Sequence, residues 1–138
     1  MTEPLETEPL ETDEQRRAAG MRVRREVLGD AHVDRAVADV TPLTADFQDF
    51  ITRVAWGDVW QRPGLARRDR SLVTLSITIA LRHWDEFALH VRAAKNNGLT
   101  DEEIAEVIQH AAVYAGVPAA NHAFKVAGPI LEELRGRE

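Results

Sequence analysis

The fold class of this chain depends on residues 71–82, which read Ser71-Leu72-Val73-Thr74-Leu75-Ser76-Ile77-Thr78-Ile79-Ala80-Leu81-Arg82. Apolar and hydroxyl-bearing residues alternate here, which is the pattern of a half-buried β-strand. The stretch from Arg68 to His83 is also long enough for a buried helix, and helical patterns lie on both sides of it. The alternation alone leaves strand and helix open. The length and the neighbours favour the helix, and therefore an all-α domain.

Two helices are predicted before this stretch. The first runs from about Asp13, a suitable N-cap, to Leu28, where Gly29 provides a stop. The second opens at Thr41-Pro42, with threonine as N-cap and proline in the first turn, and ends near Trp56-Gly57. Its apolar residues recur at helical spacing and predict one buried face, made of Phe47, Phe50, Ile51 and Val54.

Three further helical segments are predicted. One extends from about Trp84 to Asn97 and stops at Gly98. Thr100-Asp101-Glu102-Glu103 then has the pattern of a capping box, and this helix ends at Gly116. Pro118 opens the last helix, and its apolar face is predicted to comprise Ala120, Ala123, Phe124, Ala127 and Leu131.

Composition bounds the classes of function. The 138 residues suit one domain, and the formal net charge of -6 argues against non-specific binding of nucleic acid. Without cysteine there are no disulfides, zinc–thiolate sites or cysteine nucleophiles. No apolar run approaches the ~18 residues of a membrane span, and the acidic N-terminus does not resemble a signal peptide, so the cytoplasm is expected. The repeated unit Thr-Glu-Pro-Leu-Glu predicts a disordered tail over residues 1–13, followed by one domain over 14–138.

Ionisable side chains cluster at the start of the helix that follows His83. His83, Glu86 and His90 lie on one stripe of that helix, at the border of its apolar face. Glu86 and His90 are four residues apart, so the carboxylate could orient the imidazole for proton transfer. The alternative is an ordinary surface pair of modest stabilising effect. No second pair with the spacing of a metal motif accompanies them, so no metal site is predicted.

Two other groups of residues are candidates for a site. His110 and Tyr114 form a second pair four residues apart, on the helix after the turn, and the two helices are expected to be antiparallel neighbours. Arginines interleaved with Trp56 and Trp60 could bind an anionic small molecule, or could form a solvated basic face. They are Arg53, Arg62, Arg67, Arg68 and Arg70.

Several motifs, in this order, resemble the carboxymuconolactone decarboxylase family. Together they cover about residues 18–131, and their combination is specific although each motif alone is weak. They lie at residues 47–57, 62–65, 68–75, 89–94, 97–100 and 110–121. The chain departs from the family at one point, because Leu81-Arg82 stands where the family usually has Leu-Gly.

This resemblance implies the all-α fold of the alkylhydroperoxidase-D-like superfamily, with about six helices, and a homo-oligomer, expected as a hexamer built from three dimers. It implies a carboxy-lyase that converts 4-carboxymuconolactone to 3-oxoadipate enol-lactone in the β-ketoadipate route of protocatechuate degradation. No cofactor is expected, because the ring C=C and the lactone carbonyl of the substrate accept the electron pair. The superfamily's redox branch uses a Cys-x-x-Cys pair, which this chain lacks, so peroxidase activity is not expected.

The same resemblance suggests roles for individual residues. Glu86, His90 and His110 are the catalytic candidates, with His90 as first choice for proton donor or dienolate stabiliser. The candidates for binding the small anionic lactone are Arg53, Trp56, Arg62, Arg92, Tyr114 and Asn121, of which Arg92 could act across a subunit interface. Two alternatives stay open: a family member acting on another small lactone or carboxylic acid, and a non-catalytic oligomeric helical protein.

Overall fold

In the computed structural model, which describes residues 12–137, every regular element is a helix. The elements are α1 (Asp13–Leu28), α2 (Asp30–Ala38), α3 (Ala45–Ile51), a π-helix (Thr52–Trp60), α4 (Arg67–Ala80), α5 (Trp84–Asn96), α6 (Asp101–Ala115) and α7 (Val117–Arg135). The all-α prediction is confirmed. Most of the predicted tail lies outside the described residues, but Thr12 and Asp13 at its edge belong to the start of α1.

The ambiguous stretch forms α4. Ser71, Leu75 and Ile79 are buried at intervals of four residues, so the buried side of α4 follows helical spacing rather than alternation. The hydroxyl of Thr78, which suggested a strand, donates to the carbonyl oxygen of Thr74 at 2.8 Å. The β-branched residues of this stretch are therefore accommodated within a helix, and tertiary packing decides its conformation.

Capping residues explain where several helices begin. Thr100 caps α6, and the amide of Glu103 and the hydroxyl of Thr100 are 3.0 Å apart, as the predicted capping box requires. A second capping box joins Thr12 and Gln15 at the start of α1. The prediction that Asp13 is the N-cap is wrong by one residue, because Thr12 takes that position and Asp13 lies in the first turn.

The region between α1 and α4 differs most from the prediction. Helix α2 was not predicted, and Thr41-Pro42 lies in a turn, so the next helix begins at Ala45. That helix widens into a π-helix at Thr52 and continues to Trp60, beyond the predicted end. Because the widening changes which side chains face inward, Thr52 and the indole of Trp56 are buried there. Phe47 and Phe50, expected in the core, are 60% and 51% exposed.

The turn before α5 contains an unusual backbone conformation. Arg82 has a φ of 58°, in the left-handed region that non-glycine residues seldom adopt. This is the position where the resembling family usually has glycine. The chain keeps the turn geometry that favours glycine, and it does so with an arginine.

Helix α5 lies between two hydrophobic clusters. One of its faces, with Phe87, Val91 and Ala94, packs into the larger core shared with α4, α6 and α7. Its opposite side contributes Ala93 to a smaller core with α1 and the π-helix, formed by Val23, Val27 and Trp56. Asn96 at the end of α5 donates to the carbonyl oxygens of Glu26 and Val27 in the last turn of α1. These contacts fix α1 against α5.

Helix α1 crosses the π-helix at two glycines. A Cβ atom added to Gly20 would lie 2.0 Å from the carbonyl oxygen of Thr52, and one added to Gly57 would lie 2.7 Å from that of Arg16. The atoms met are backbone atoms, which cannot rotate away. The two backbones can therefore approach this closely because neither position has a side chain. This crossing holds the π-helix beside α5.

We expect Gly20→Ala to lower the free energy of unfolding by about 1–3 kcal/mol, the usual cost of overpacking. Urea unfolding measures the change. The matched control is Gly64→Ala, in the loop before α4, where an added Cβ meets no atom within 4 Å. That variant is expected to match or exceed the wild-type protein by up to about 1 kcal/mol. Equal stability of the two variants would argue against the close crossing.

Candidate functional site

A cavity of about 510 Å³ lies between the π-helix, α5 and the first three helices. This is within the range of small-molecule sites. Most of its wall is apolar or aromatic, and a few polar side chains face it. The lining residues are Arg24, Leu28, His32, Ala36, Phe47, Gln48, Ile51, Ala55, Trp56, Trp60, Glu86, Leu89 and His90.

The π-helix forms the aromatic wall of this cavity. Ile51, Ala55, Trp56 and Trp60 all line it, at intervals of four or five residues. Such intervals suit a helix with i→i+5 hydrogen bonds, which is wider than an α-helix. The ring centroids of Trp56 and Trp60 are 5.3 Å apart. The wider helix therefore presents both indoles to the same space.

His90 is a buried titratable group in the wall of the cavity. It is 6% exposed, and its ring is stacked near both Trp56 and Trp60, with centroid distances of 6.5 and 6.0 Å. Among the described residues, its Nδ1 atom has no hydrogen-bond partner. Burial, assisted by the nearby His32, lowers the pKa of His90 to about 4. The imidazole is therefore neutral at pH 7.

Arg24 brings a positive charge to the same cavity. It is 5% exposed, and it donates from Nη1 to the hydroxyl of Thr52 at 3.4 Å and from Nη2 to the amide oxygen of Gln48 at 3.1 Å. Both acceptors are neutral. Burial is the main reason that the pKa of Arg24 is lowered, and the adjacent Arg25 adds to it.

His32 and Glu86 complete the ionisable groups. Burial lowers the pKa of His32, with further lowering from Arg24 and Arg35, while Glu86 opposes the change. Glu86 is exposed at the cavity mouth. The predicted hydrogen bond from His90 to Glu86 is not formed through Nδ1. The two residues share the cavity without that contact.

The structure thus brings together three of the residues predicted from the sequence: Trp56, Glu86 and His90. The predicted arginines lie elsewhere. Arg53 pairs with Asp49 at 2.8 Å, and Arg92 pairs with Glu133 at 2.7 Å. Arg62 is exposed in the loop before α4.

Other arginines of the predicted basic region also have partners on this chain. Arg67 forms an ion pair with Glu26, Arg68 pairs with Glu103, and Arg70 donates to the backbone oxygen of Arg62. None of the five arginines of this region lines the cavity among the residues that the structure describes. Of the two interpretations of this region, the solvated basic face therefore fits most of these arginines.

His110 and Tyr114 form a separate group. Their rings are stacked with centroids 5.2 Å apart, and they line a shallow surface cavity beside Ile77. The prediction that α5 and α6 are neighbours is wrong, because both helices pack mainly against α4 and α7. Asn121 is exposed on α7. In one chain, these residues do not meet His90.

Two residues of the cavity, Arg24 and His32, were missed by the sequence analysis. A signal for Arg24 exists, because Gly20, Val23, Arg24 and Val27 form the buried stripe of α1. Charged residues are almost never fully buried unless they are paired, so a charged residue within such a stripe indicates a specific role. His32 belongs to α2, which was itself missed.

Residues 12–137 contain neither a metal-binding cluster nor a helix that could span a membrane. No group of three or more His, Asp or Glu side chains there is arranged to hold a metal ion. No helix in that range has both the length and the apolarity to cross a membrane.

Comparison with known proteins places this geometry in a family. A model of the carboxymuconolactone decarboxylase family matches residues 45–128, which is more than half of the chain. The chain belongs to the carboxymuconolactone decarboxylase family. The matched region includes the π-helix and α5, which supply the tryptophans and His90. The resemblance expected from the sequence motifs is confirmed.

Three curated proteins are similar to this chain. A 4-carboxymuconolactone decarboxylase of Acinetobacter baylyi is 48% identical over 122 residues, which cover 88% of this chain and 91% of that protein. The nitrosuccinic acid decarboxylase npaB of Metarhizium robertsii is 46% identical over 115 residues, or 83% and 80% of the two chains. A 4-carboxymuconolactone decarboxylase of Pseudomonas putida is 54% identical over 46 residues, 33% of this chain and 96% of that sequence. These relatives confirm the predicted enzyme class, a decarboxylase.

The lowered pKa of His90 predicts a loss of stability in acid. The unfolded chain takes up this proton near the ordinary pKa of 6.5, whereas the folded chain does so near pH 4. Between these values the unfolded state binds more protons, so stability falls as the pH falls. We expect the wild-type protein to lose about 2 kcal/mol more than His90→Gln when the pH is lowered from about 7.5 to about 5.

Urea unfolding at the two pH values measures this difference. The other titratable groups, including His32, are present in both proteins, so the comparison isolates His90. An equal loss in the two proteins would mean that His90 titrates normally and is not held neutral.

Proposed function

We propose that this chain decarboxylates 4-carboxymuconolactone to 3-oxoadipate enol-lactone, in the β-ketoadipate route of protocatechuate degradation. The observation that carries the proposal is the buried, neutral His90 in a tryptophan-walled cavity, where its Nδ1 has no hydrogen-bond partner among the described residues. The similarity to the Acinetobacter baylyi enzyme over most of both chains supports this substrate. The compartment expected for the reaction is the cytoplasm.

The chemistry needs little from the protein. The bond between the saturated ring carbon and its carboxylate breaks, and the electron pair moves through the ring C=C into the lactone carbonyl, giving a dienolate and CO2. A proton then adds to the carbon next to the lactone carbonyl. The substrate thus accepts its own electrons, and we propose that no cofactor takes part.

The cavity wall suits the first step. A carboxylate held against the indoles of Trp56 and Trp60 has few hydrogen-bond donors, and neutral CO2 is tolerated better there than the anion. The apolar wall therefore favours loss of charge at this position. The retained carboxylate needs the opposite environment, which the polar side of the cavity provides.

His90 suits the second step. Burial lowers its pKa, but an anion bound beside it would favour the protonated form. We propose that the imidazolium formed in this way stabilises the dienolate oxygen and gives its proton to carbon. Glu86, at the mouth of the same cavity, is proposed to favour the charged form of His90.

Nitrosuccinic acid is the second candidate substrate, because the similarity to the Metarhizium robertsii decarboxylase covers most of both chains. Both molecules contain a succinate skeleton. In each, one carboxylate sits on a carbon joined to an electron-accepting group, and the neighbouring CH2 bears a second carboxylate. The acceptor is the unsaturated lactone in one and the nitro group in the other, so one cavity could serve either reaction.

A parallel assay tests the two substrates. Purified protein is treated with a chelator and given 4-carboxymuconolactone generated in situ or nitrosuccinate, and the loss of CO2 from each is followed. We expect turnover of the lactone at a much higher kcat/KM than that of nitrosuccinate. The reverse order would assign the second substrate, and activity that disappears with the chelator would contradict a cofactor-free reaction.

In the same assay His90→Gln is expected to lower kcat by at least about 100-fold, the usual contribution of a positioned acid or base. The matched control is His122→Gln, because His122 contacts Trp84 and does not line the cavity. This variant should keep the wild-type rate. Near-normal turnover by His90→Gln would remove His90 from the mechanism.

We also propose that the chain forms a homo-oligomer, expected as a hexamer of three dimers. Large apolar side chains are exposed on three helices, which is unusual for a monomer. Ile77 and Tyr114 among them line one shallow cavity of about 430 Å³. The set comprises Val73, Ile77, Leu81, Val113, Tyr114, Val117 and Phe124. The predicted roles of His110, Tyr114, Arg92 and Asn121 would depend on a neighbouring copy.

We expect sedimentation velocity to give six times the chain mass of 15.4 kDa for the wild-type protein. Val113→Asp should shift the protein to smaller species, because Val113 is 78% exposed in this apolar set and a buried unpaired charge is costly. Ala31→Asp, which adds the same charge on the exposed side of α2, is the control. A wild-type monomer, or an unchanged mass for Val113→Asp, would contradict this interface.

A further inference from the structure

Arg24 is a buried cation with no anionic partner among residues 12–137. Arginine has five N–H donors, and this guanidinium uses Nη1 and Nη2 on the neutral oxygens of Thr52 and Gln48. Its Nε atom has no partner among the described residues, and no carboxylate of those residues lies within ion-pair distance of it. A buried charge in this state is costly unless something else compensates it.

The other arginines of this region differ from Arg24. Arg17 and Arg53 both pair with Asp49, and Arg25 pairs with Asp30 and Asp34. The hydrogen bonds from Arg17 and Arg53 lower the pKa of Asp49 to about 2. Arg17, Arg25 and Arg53 thus have carboxylate partners, whereas the more deeply buried Arg24 has none among the described residues. That distribution is expected if the anion that pairs with Arg24 comes from outside the protein.

The position of Arg24 indicates which anion this is. Its side chain lines the same cavity as His90 and the two tryptophans. A carboxylate there would gain charge-assisted hydrogen bonds from the guanidinium. Gln48 also lines the cavity and accepts from Arg24, which fixes the direction of the guanidinium.

We propose that Arg24 binds the carboxylate that the substrate retains, on the CH2 group next to the reacting carbon, and so selects dicarboxylates with a succinate skeleton. This assignment rests on the proposed function. A cation on the departing carboxylate would stabilise the ground state and oppose the loss of CO2. A cation on the retained carboxylate holds the substrate equally before and after that step, and leaves the departing group against the indole wall.

Succinate, which has no electron-accepting group and cannot react, is the probe. Its binding is measured by calorimetry, and by the rise that it causes in the unfolding temperature. We expect wild-type protein to bind succinate, and Arg24→Met to bind it between about 10-fold and 100-fold more weakly, as expected for hydrogen bonds to a charged group. Arg24→Lys should lose less. Arg22→Met, on the exposed side of the same helix, should bind like the wild type.

A structural role for Arg24 predicts a different result. If Arg24 serves mainly the fold, Arg24→Met unfolds at a lower temperature without ligand and binds succinate normally, and this would overturn the proposal. If Arg24 serves the ligand, the variant keeps or raises its unfolding temperature, because a buried uncompensated charge has been removed. Should Arg24→Met fail to fold, Arg24→Gln keeps polar contacts at this position without the charge and provides the same test.

Kinetics separate this proposal from the proposed function. With an active substrate, Arg24→Met should raise KM by about 10-fold or more and change kcat less, because it removes an interaction made equally in the ground and transition states. If neither lactone nor nitrosuccinate reacts but succinate still binds through Arg24, the anion site stands and the substrate assignment fails. If the lactone reacts and Arg24→Met behaves like wild type, the Arg24 assignment fails alone.

Discussion

The close crossing of α1 and the π-helix is the constraint on which the rest of the structure depends. Gly20 and Gly57 let the two backbones meet with almost no space between them. Because the helices are so close, Arg24, one turn beyond Gly20, lines the same cavity as the indoles of Trp56 and Trp60. Helix α5 contributes Ala93 to the small core and the buried His90 to the cavity. The two glycines therefore act on the site although neither lines it.

The electrostatics of the cavity favours an anion as its ligand. Burial lowers the pKa of both Arg24 and His90, so each is held in an environment that disfavours its charged form. Arg17, Arg25 and Arg53 have carboxylate partners, whereas Arg24 and His90 have none among the described residues and line the same cavity. A bound dicarboxylate would relieve both, since it pairs with the guanidinium and favours protonation of the imidazole. Binding of the dicarboxylate would therefore also favour protonation of His90, the proposed acid.

The sequence predicted most of the fold because local signals and tertiary packing agree there. Thr100 and Gly116 mark the ends of α6 through capping and backbone conformation, which are local properties. The α3–π region was mispredicted because a regular α-helical period was assumed for it, whereas the helix widens at Thr52. Phe47 and Phe50, in the α3 part, are largely exposed. Helix α2 is short, at 9 residues, and Val33 is its single buried residue, so few positions of its sequence indicate a core-facing side.

Only some residues of the site were predicted from the sequence. His90 and Trp56 could be found because their residue types and the family motifs point to them. Arginines were sought where they are dense in the sequence, yet Arg67 and Arg68 are dense there because they are solvated and paired. Arg24 stands alone in an apolar stripe, where the cost of burying a charge makes its presence informative. For binding an anion within a protein, the isolation of a cation from carboxylates is a better guide than the local density of positive charge.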